Sequence, residues 1–493
     1  MQRPQRIRIK NESGKLQSLP EGKEYFQDLG GSGEILFLGL GPAPEIASEL
    51  VPQGTTIHYI ECPQFEKQIP GHANLPRQFS KITKEQFRNK NDYRIILYSP
   101  NKKLFPSFWC PIISKLALQK TGINKKSRSK TVWIPGDENS LLVPELSRAF
   151  ADAGFTYKVI EPDAMRKNML SLLDQELPEI CLSINYNGLD NSGETFFMLQ
   201  EAGVKVVVWM VDNPFHIISD IKSDYWKQVP TMVTDHWFIA PLNKLGAEKV
   251  SHLPLATDPN FFHPQVQKFP LLEKRIVFVG RSSFPGKDTF FAGCSFSADD
   301  HQAATEAISA GTKPDFEWWA KHDNISSFWP GRQVRETGFR TEQSGLIWRS
   351  YALKSVGNKL TLFGDEGWKQ QLTDPDLRPP VDYFTAVPSI YAGAGTTLNM
   401  TSPLLPCGLT QRNFDVWAAG GFLLTDRTSG LSIFPSDLIA ECSFNTPAEL
   451  PELCDRFETF PKLKKSLTKI WHQVILTEHT YENRIDNILN FLQ

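Results

Sequence analysis

The stretch NMTSPLLPCGLTQRNFDVWAAGGFLLTD, residues 399–426, indicates the fold class of this chain more clearly than any other segment. Its centre predicts a helix over residues 411–419, with Thr410 as the N-cap. Gly420 and Gly421 are expected to end the helix, because glycine adopts left-handed backbone angles and lets another chain segment approach closely. A helix that ends in this way before an apolar run is typical of an α/β protein.

A short buried strand, residues 422–424, follows the two glycines, and Thr425 and Asp426 stand at its carboxyl end. In a parallel sheet, ligands bind where strands end and helices begin. The N-terminus of a helix favours an anion, and Arg412 in the first turn adds a positive charge. The stretch therefore predicts an anion-binding site at the edge of a parallel sheet.

The same stretch resembles the helix-glycine-strand signature of GT-B glycosyltransferases, in particular the spore-maturation CgeB-like family. The resemblance lies in Arg412, Phe414–Asp415, Ala418–Gly421 and Thr425–Asp426. It implies an α/β protein with two Rossmann-like, doubly wound domains in a GT-B arrangement. It also implies transfer of a sugar from a nucleoside-diphosphate donor. The alternative is a helix-to-strand turn of an unrelated α/β protein.

Length and charge are those of a multidomain globular protein. The chain has 493 residues, which suggests about two to four domains. Lysine and arginine total 53, and aspartate and glutamate total 55, so the net charge is −2. This balance gives no global attraction to nucleic acid or to an anionic membrane surface, and we expect neither as a partner.

The cysteine and apolar patterns indicate a cytoplasmic protein without a membrane span. The seven cysteines are scattered and odd in number, so neither a zinc ribbon nor a disulfide framework is expected. The basic start, MQRPQRIRIKNES, is not followed by the apolar core of a signal peptide. The longest apolar run, Val204–Val211, is far too short to cross a bilayer.

Residues 35–61, ILFLGLGPAPEIASELVPQGTTIHYIE, predict a compact βαβ unit with a turn at Gly39 and Gly41. Glu61 ends the second strand, where an acidic residue can bind ribose hydroxyls. The unit resembles the first motif of S-adenosylmethionine-dependent methyltransferases, so a methyltransferase is the alternative function. Pro44-Glu45 replaces the third glycine of the fingerprint. We therefore favour a structural or degenerate Rossmann domain over a working one.

Few elements follow before the next domain begins. A third strand over residues 94–98 and a helix over residues 106–119 precede the polar, basic run Gly122–Lys130, which predicts a linker. We assign residues 1–125 to a small N-terminal Rossmann-like accessory domain, which is short for a complete methyltransferase.

Residues 131–265 alternate strands with helices and predict the acceptor-side domain of the GT-B pair. The strongest strand pattern is VKVVVWMVDNPFH, residues 204–216, and it ends at Asp212. The segments WMVDNP and LPLATDPNFF also resemble the N-terminal half of CgeB-like glycosyltransferases, and they occur in the expected order.

Residues 270–493 predict the donor-side domain, with a helical insertion at about 290–355. The sequence of the insertion does not assign it a role. The strand pattern KRIVFVGRSS ends at Gly280 and Arg281, with Lys287 beyond it. In many GT-B enzymes a Gly-Arg pair and a following lysine contact the donor diphosphate. The closing TEHTYENRIDNILNFL also resembles the family, whose last helix often packs back on the N-terminal half.

The resemblance and the strand-end positions together assign donor-binding roles to Gly280, Arg281, Lys287, Gly364, Asn399, Gln411, Arg412, Asp415 and Thr425. The basic residues Arg281, Lys287 and Arg412 would stabilise the leaving diphosphate, and Asp415 would hold the nucleoside. A solvated surface charge is the alternative for each basic residue.

Asp212 is the leading candidate for the general base, because it ends the most apolar strand and a partly desolvated carboxylate has a raised pKa. The alternative for Asp212 is an Asx turn with Asn213-Pro214. His216 is the second catalytic candidate, and Asp235-His236 is held in reserve.

One position departs from the family pattern. Related retaining enzymes carry two glutamates near the donor, whereas this chain has Cys407 at the first position and Asp415 at the second. A retaining mechanism is therefore not carried over. We expect a nucleotide-diphosphate sugar as donor substrate, an unknown acceptor, no bound cofactor and, as in GT-B enzymes generally, no catalytic metal. A non-catalytic binding protein on a GT-B scaffold is the third possible function.

Overall fold

The computed structural model describes residues 7–69, 72, 75–89, 93–331 and 333–493, and these residues form three larger sheets and one small hairpin. The basic start of the chain, apart from residues 7–13, lies outside the described residues. The strands are β1 (Arg8–Lys10), β2 (Leu16–Ser18), β3 (Phe26–Gly30), β4 (Glu34–Leu38), β5 (Ile57–Ile60), β6 (Phe79–Lys81), β7 (Tyr93–Tyr98), β8 (Ser129–Pro135), β9 (Thr156–Ile160), β10 (Pro178–Ile184), β11 (Lys205–Met210), β12 (Thr231–Val233), β13 (Val250–His252), β14 (Ile276–Val279), β15 (Leu360–Phe363), β16 (Asp376–Arg378), β17 (Thr396–Asn399), β18 (Leu423–Asp426) and β19 (Ser443–Phe444).

Helices connect most of these strands. They are α1 (Pro44–Glu49), α2 (Pro63–Glu66), α3 (Lys84–Asn89), α4 (Asn101–Leu104), α5 (Pro106–Thr121), α6 (Val143–Asp152), α7 (Pro162–Gln175), α8 (Glu194–Glu201), α9 (Pro214–Ile218), α10 (Ile239–Lys244), α11 (Lys287–Phe290), α12 (Ala298–Ser309), α13 (Phe316–His322), α14 (Gln333–Ser355), α15 (Val387–Gly393), α16 (Arg412–Ala418), α17 (Ser436–Cys442), α18 (Leu450–Thr459), α19 (Pro461–Glu478) and α20 (Tyr481–Phe491).

The first sheet has five strands in the order β3-β7-β4-β5-β6. The pairs β4–β5, β4–β7 and β5–β6 are parallel, and β3 runs antiparallel to β7 at the edge. The predicted βαβ unit of residues 35–61 is present as β4, α1 and β5. This region is therefore a small Rossmann-like sheet with one added edge strand.

The middle sheet has six parallel strands in the order β13-β12-β11-β10-β8-β9. The apolar run predicted as the strongest strand forms β11, which is buried from Val206 to Met210. Strands covered on both faces need such continuous apolar runs, which explains why the pattern was easy to recognise.

The last sheet also has six parallel strands, in the order β16-β15-β14-β17-β18-β19. Successive strands are added on one side of β14 up to β16 and on its other side from β17 onward. Doubly wound sheets open a crevice for ligands at such a switch in strand order, here between β14 and β17. Two parallel, doubly wound sheets in one chain are consistent with the GT-B type of fold that the sequence resemblance implies.

The stretch that indicated the fold class forms α16 and β18, as predicted. Gly420 has a φ of 73°, the expected left-handed angle. Gly421 is a close-approach position, since an added Cβ atom would lie 2.5 Å from the carbonyl oxygen of Tyr391. The predicted N-cap was wrong: Gln411 precedes the helix with helical angles, and the Thr410 hydroxyl donates to the side chains of Asn399 and Asn413 instead.

The segment predicted as a linker, Gly122–Lys130, is packed at its start, whereas residues 125–128 are exposed. Gly122 ends α5 with a φ of 72°, and β8 begins at Ser129. Ile123 is fully buried in the core of the middle sheet together with Leu118 from α5. Other residues of α5, such as Trp109, belong to the core of the first sheet, so this helix is shared by the two cores.

Four helices, α11 to α14, lie between β14 and β15, where the sequence predicted a helical insertion. Phe316 of α13 and Val334 of α14 pack into the core of the middle sheet. Residues between β14 and β15 of the last sheet therefore contact the half of the molecule that contains the middle sheet. The insertion covers one side of the junction between the two halves.

The chain crosses between the two halves at a buried junction. Thr257 and Thr480 form a parallel bridge, and the guanidinium group of Arg484 donates to the carbonyl oxygens of Pro254 at 2.8 Å and Leu255 at 3.0 Å. Helix α20 then packs into the core of the middle sheet, as the resemblance implied for the last helix.

The close approach at Gly421 makes a stability prediction. Gly421→Ala should lower the free energy of unfolding by about 1–3 kcal/mol, because the new methyl group meets backbone atoms that must shift. Gly331→Ala is the matched control, since its nearest atoms lie 3.9 Å from an added Cβ atom. Urea denaturation followed by tryptophan fluorescence measures both variants. Equal midpoints for Gly421→Ala and the wild type would contradict the packing described here.

Candidate functional site

A cavity of about 760 Å³ lies between the middle and last sheets. Its walls come from the loops after β10 and β11 on one side and from the loops after β14 and β17 on the other. Helix α14 of the insertion contributes Glu342 and Arg349. The carboxyl ends of two parallel sheets thus open onto one cavity, which is where such folds bind ligands.

Asp212 lies on the middle-sheet wall of the cavity, two residues beyond the end of β11. Its carboxylate accepts one hydrogen bond, from Asn185 Nδ2 at 2.8 Å, and remains open to the cavity. The surrounding walls desolvate the carboxylate and raise the pKa of Asp212, and the bond from Asn185 partly offsets this effect. The Asx turn that was its alternative is made by Asn213, whose Oδ1 accepts from the Phe215 amide at 3.0 Å.

Asn185 is a site residue that sequence reasoning missed. Its Oδ1 accepts from the Val211 amide at 2.8 Å while its Nδ2 holds Asp212, so one side chain joins the ends of β10 and β11. Asn185 and Tyr186 have φ angles of 52° and 64°, which are unfavourable for residues other than glycine, least so for asparagine. An asparagine directly after an apolar strand, as in LSINYN, was the available signal.

His216 also lines the cavity, but its ring is buried in an aromatic cluster. The ring packs edge-on against Phe290, Phe291 and Phe316 from the insertion. Its Nε2 lies 3.3 Å from the carbonyl oxygen of Val334. Burial lowers the pKa of His216 to about 4, so the ring is neutral at physiological pH and is a poor proton acceptor there.

Arg281 follows β14 and extends an exposed side chain into the cavity. Within the described residues its guanidinium group has no hydrogen bond or ion pair, so its five N–H donors are available to a ligand. Lys287 is not among the residues that line the cavity. Its ammonium group lies 5.7 Å from the ring of Phe339, and burial lowers its pKa.

Arg349, a second residue that the sequence did not single out, supports the turn that carries Arg281. Its guanidinium donates to the carbonyl oxygens of Arg281 at 2.8 Å, Ser282 at 3.1 Å and Gly345 at 3.2 Å. The contacts connect helix α14 to the loop after β14. This role could not be predicted, because helical periodicity does not show which arginine of an insertion points toward a site.

Several predicted donor residues form a buried network below the cavity instead of its wall. Asn399 is the centre: its Oδ1 accepts from Arg412 Nε at 2.8 Å, and its Nδ2 donates to the Thr425 hydroxyl at 2.9 Å. Arg412 also donates to the carbonyl oxygen of Val279 at 2.6 Å. The structure therefore brings Asn399, Arg412 and Thr425 together, and their contacts fix the start of α16 to the ends of β14, β17 and β18.

Gly280 and Gly364 lie where the ends of β14 and β15 approach each other. A Cβ atom on Gly364 would be 2.5 Å from the carbonyl oxygen of Gly280, so this position accepts only glycine without a shift. Gln411 lies at the opposite end of the network, 3.3 Å from the hydroxyl group of Tyr481 on α20. These residues shape the strand ends and the junction between the halves.

Asp415 is away from the cavity and almost fully buried. Its two carboxylate oxygens accept hydrogen bonds from the hydroxyl groups of Tyr383 at 2.6 Å and Thr257 at 2.8 Å. Burial raises the pKa of Asp415 well above its usual range. The protein thus already supplies the hydroxyl partners that a ribose was expected to provide.

The glycine turn of the first sheet has a comparable internal arrangement. Glu61 is buried, and its carboxylate accepts from the amides of Leu40 at 3.0 Å and Cys62 at 2.9 Å. The side chain of Tyr98 lies against Gly41, 3.1 Å from the position of an added Cβ atom. The Glu61 carboxylate therefore stabilises the glycine turn through Leu40 and the start of the next segment through Cys62. These contacts give no support to the S-adenosylmethionine site of the alternative function.

Residues 347–490 match a family model described as glycosyl transferase-like. The matched region begins in α14, includes Arg349, and extends through the stretch 399–426 to α20. This match supports glycosyl transfer, in general terms, as the activity of the protein. No curated protein matches the chain.

Two features are absent from the described part of the chain. No helix there is long and apolar enough to cross a membrane. No group of three or more histidine, cysteine, aspartate or glutamate side chains there is arranged to hold a metal ion.

Arg349 should be a positioning residue for the turn after β14. Arg349→Lys removes the planar, forked set of donors, and a lysine cannot reach all three carbonyl oxygens. We expect faster amide hydrogen exchange in residues 280–286 and a loss of about 1.5–3 kcal/mol in unfolding free energy. Arg456→Lys is the control, because Arg456 pairs with Glu441 at the surface of the same unit. Unchanged exchange in residues 280–286 would contradict the role.

Proposed function

We propose that the protein transfers a sugar from a nucleoside-diphosphate donor to an acceptor, with both substrates meeting in the cavity between the middle and last sheets. One observation carries the proposal: the guanidinium of Arg281, which pairs with no described residue, and the carboxylate of Asp212 face the same cavity from opposite sheets. The match of residues 347–490 to the glycosyl transferase-like model supports sugar transfer in general.

The last sheet supplies the donor side. Arg281 donates to the diphosphate and stabilises the negative charge that develops as the bond from the sugar C1 to the diphosphate oxygen breaks. Arg349 holds the backbone of Arg281 in place from α14. This bond fixes the backbone position from which the Arg281 side chain reaches the cavity.

The middle sheet supplies the acceptor side. Asp212 takes the proton from the acceptor nucleophile as that group forms its bond to the sugar C1. The hydrogen bond from Asn185 fixes the carboxylate, and a raised pKa makes it a better proton acceptor than an ordinary surface aspartate. His216 remains the second catalytic candidate, but burial lowers its pKa to about 4 and makes it a weaker base than an ordinary histidine.

The donor-binding roles of Arg412, Asn399, Thr425 and Gln411 become indirect in this proposal. These residues hold α16 and the strand ends that form the floor below the donor. The same holds for Gly280 and Gly364 at the ends of β14 and β15.

The donor site makes a binding prediction. Arg281→Ala should weaken the binding of uridine diphosphate, or of whichever nucleoside diphosphate binds the wild type, by about tenfold to a hundredfold, because one charge-assisted contact to phosphate is lost. Isothermal titration calorimetry measures the change. Arg94→Ala, an exposed arginine paired with Asp28 on the first sheet, should bind as the wild type does.

The outcomes of that titration separate the alternatives. Equal affinity of wild type and Arg281→Ala would place the diphosphate elsewhere. A rise in unfolding temperature with S-adenosylmethionine, and none with nucleotide sugars, would favour the methyltransferase. Stabilisation by neither ligand would favour a non-catalytic binding protein.

The catalytic role makes a rate prediction. Asp212→Asn should keep the fold and the nucleotide affinity but lower the turnover by about 10²–10⁴, because the positioned base is removed. Hydrolysis of the nucleotide sugar gives an assay that needs no known acceptor. In the wild type, the rate should fall on the acidic side at a pH above about 3.9, the ordinary pKa of aspartate, because that of Asp212 is raised.

Asp137→Asn is the matched control for the base. Asp137 also follows the carboxyl end of a middle-sheet strand, β8, but it is exposed and does not line the cavity. Its substitution should leave turnover unchanged. Wild-type turnover in Asp212→Asn would contradict the assignment and make His216 or Asp235 the next candidate.

A further inference from the structure

Glu342 is a buried carboxylate that faces the cavity and has no hydrogen-bonding partner among the described residues. It lies in the middle of α14, and only 7% of the residue is exposed. Among the described residues, no donor lies within hydrogen-bonding distance of its carboxylate. The nearest cationic group is the guanidinium of Arg349, at 3.7 Å, which is too long for a hydrogen bond.

Arg349 forms an ion pair with Glu342 but no hydrogen bond to it, and three of its five N–H donors are used elsewhere. All three of its nitrogen atoms donate to backbone carbonyl oxygens, those of Gly345, Arg281 and Ser282. A buried carboxylate without hydrogen-bond donors is unfavourable. Burial raises the pKa of Glu342, and the positive charges of Arg349 and Lys287 offset this only in part. A ligand that brings O–H or N–H groups into the cavity would remove this penalty.

The position of Glu342 limits which part of a ligand it can contact. It adjoins the turn that carries Arg281, where the diphosphate is proposed to bind. A carboxylate repels the diphosphate itself, since both are anionic. The transferred sugar is bonded to the diphosphate and carries hydroxyl groups, which are donors that a carboxylate accepts.

We propose that Glu342 accepts hydrogen bonds from the hydroxyl groups of the transferred sugar. It would thereby select donors whose sugar has free hydroxyl groups on the face toward α14. This inference rests on the proposed function and makes Glu342 a specificity-determining residue. It also gives the helical insertion a role in the choice of donor sugar.

The test compares each nucleotide sugar with its free nucleoside diphosphate. The probes are UDP and UDP-glucose, GDP and GDP-mannose, and dTDP and dTDP-glucose, titrated calorimetrically into the wild type, Glu342→Gln and Glu306→Gln. Glu306 is exposed on α12 of the same insertion and does not line the cavity, so it is the matched control. Glu342→Gln should weaken the nucleotide sugar by about tenfold to a hundredfold and leave the free diphosphate unchanged.

Each result decides the inference. Equal losses for the sugar conjugate and the free diphosphate, or no loss for either, would overturn it while leaving the proposed function intact. A wild type that binds none of the probes would remove the proposed function and the inference together. If Glu342→Gln does not fold, the wild type is titrated instead with UDP-glucose analogues that each lack one hydroxyl group. A loss of about tenfold for at least one analogue supports the inference, and equal affinities overturn it.

Discussion

The crossing of the chain between its two halves is the constraint on which the rest of the structure depends. The bridge from Thr257 to Thr480 and the buried guanidinium of Arg484 fix the two segments that pass from one half to the other. Burial lowers the pKa of Arg484 to about 10, so the group stays charged at physiological pH. Because α20 then packs into the middle sheet, the two sheets are held with their carboxyl ends toward a common cavity.

That cavity contains charges of both signs, and the arginines and Asp212 lie on opposite sides of it. Arg281 and Arg349 lie on the side of the last sheet, and Asp212 lies on the side of the middle sheet. A diphosphate is attracted to the first side, and a proton leaving an acceptor is attracted to the second. Glu342 is the exception, because it is an acid on the cationic side. No described residue donates a hydrogen bond to it, and this gives it a proposed role toward hydroxyl groups.

The fold could be predicted well from the sequence because buried parallel strands have a simple signature. The run 204–211 and the glycine-ended helix before residue 422 were recognisable from apolar patterning and from the backbone freedom of Gly420. The prediction of Thr410 as the N-cap was wrong, since its hydroxyl group donates to Asn413 three residues later and to Asn399 at the end of β17, a contact that the local sequence does not show.

The site was predictable only where backbone position fixes the direction of a side chain. Arg281 and Asp212 each lie two residues after the end of a strand, and both reach the cavity. Arg412 and Asp415 belong to a helix, and their side chains turn to carbonyl and hydroxyl groups that are distant in sequence. The insertion was recognisable as helical, but the inward direction of Glu342 depends on how α14 packs against both halves.

The most direct test of the account is a crystal structure of the protein with a bound nucleoside diphosphate. The account predicts the phosphates in the cavity between the middle and last sheets, within hydrogen-bonding distance of Arg281 and on the side opposite Asp212. A nucleotide bound at the glycine turn of the first sheet, beside Gly39 and Glu61, or anywhere outside that cavity, would contradict it.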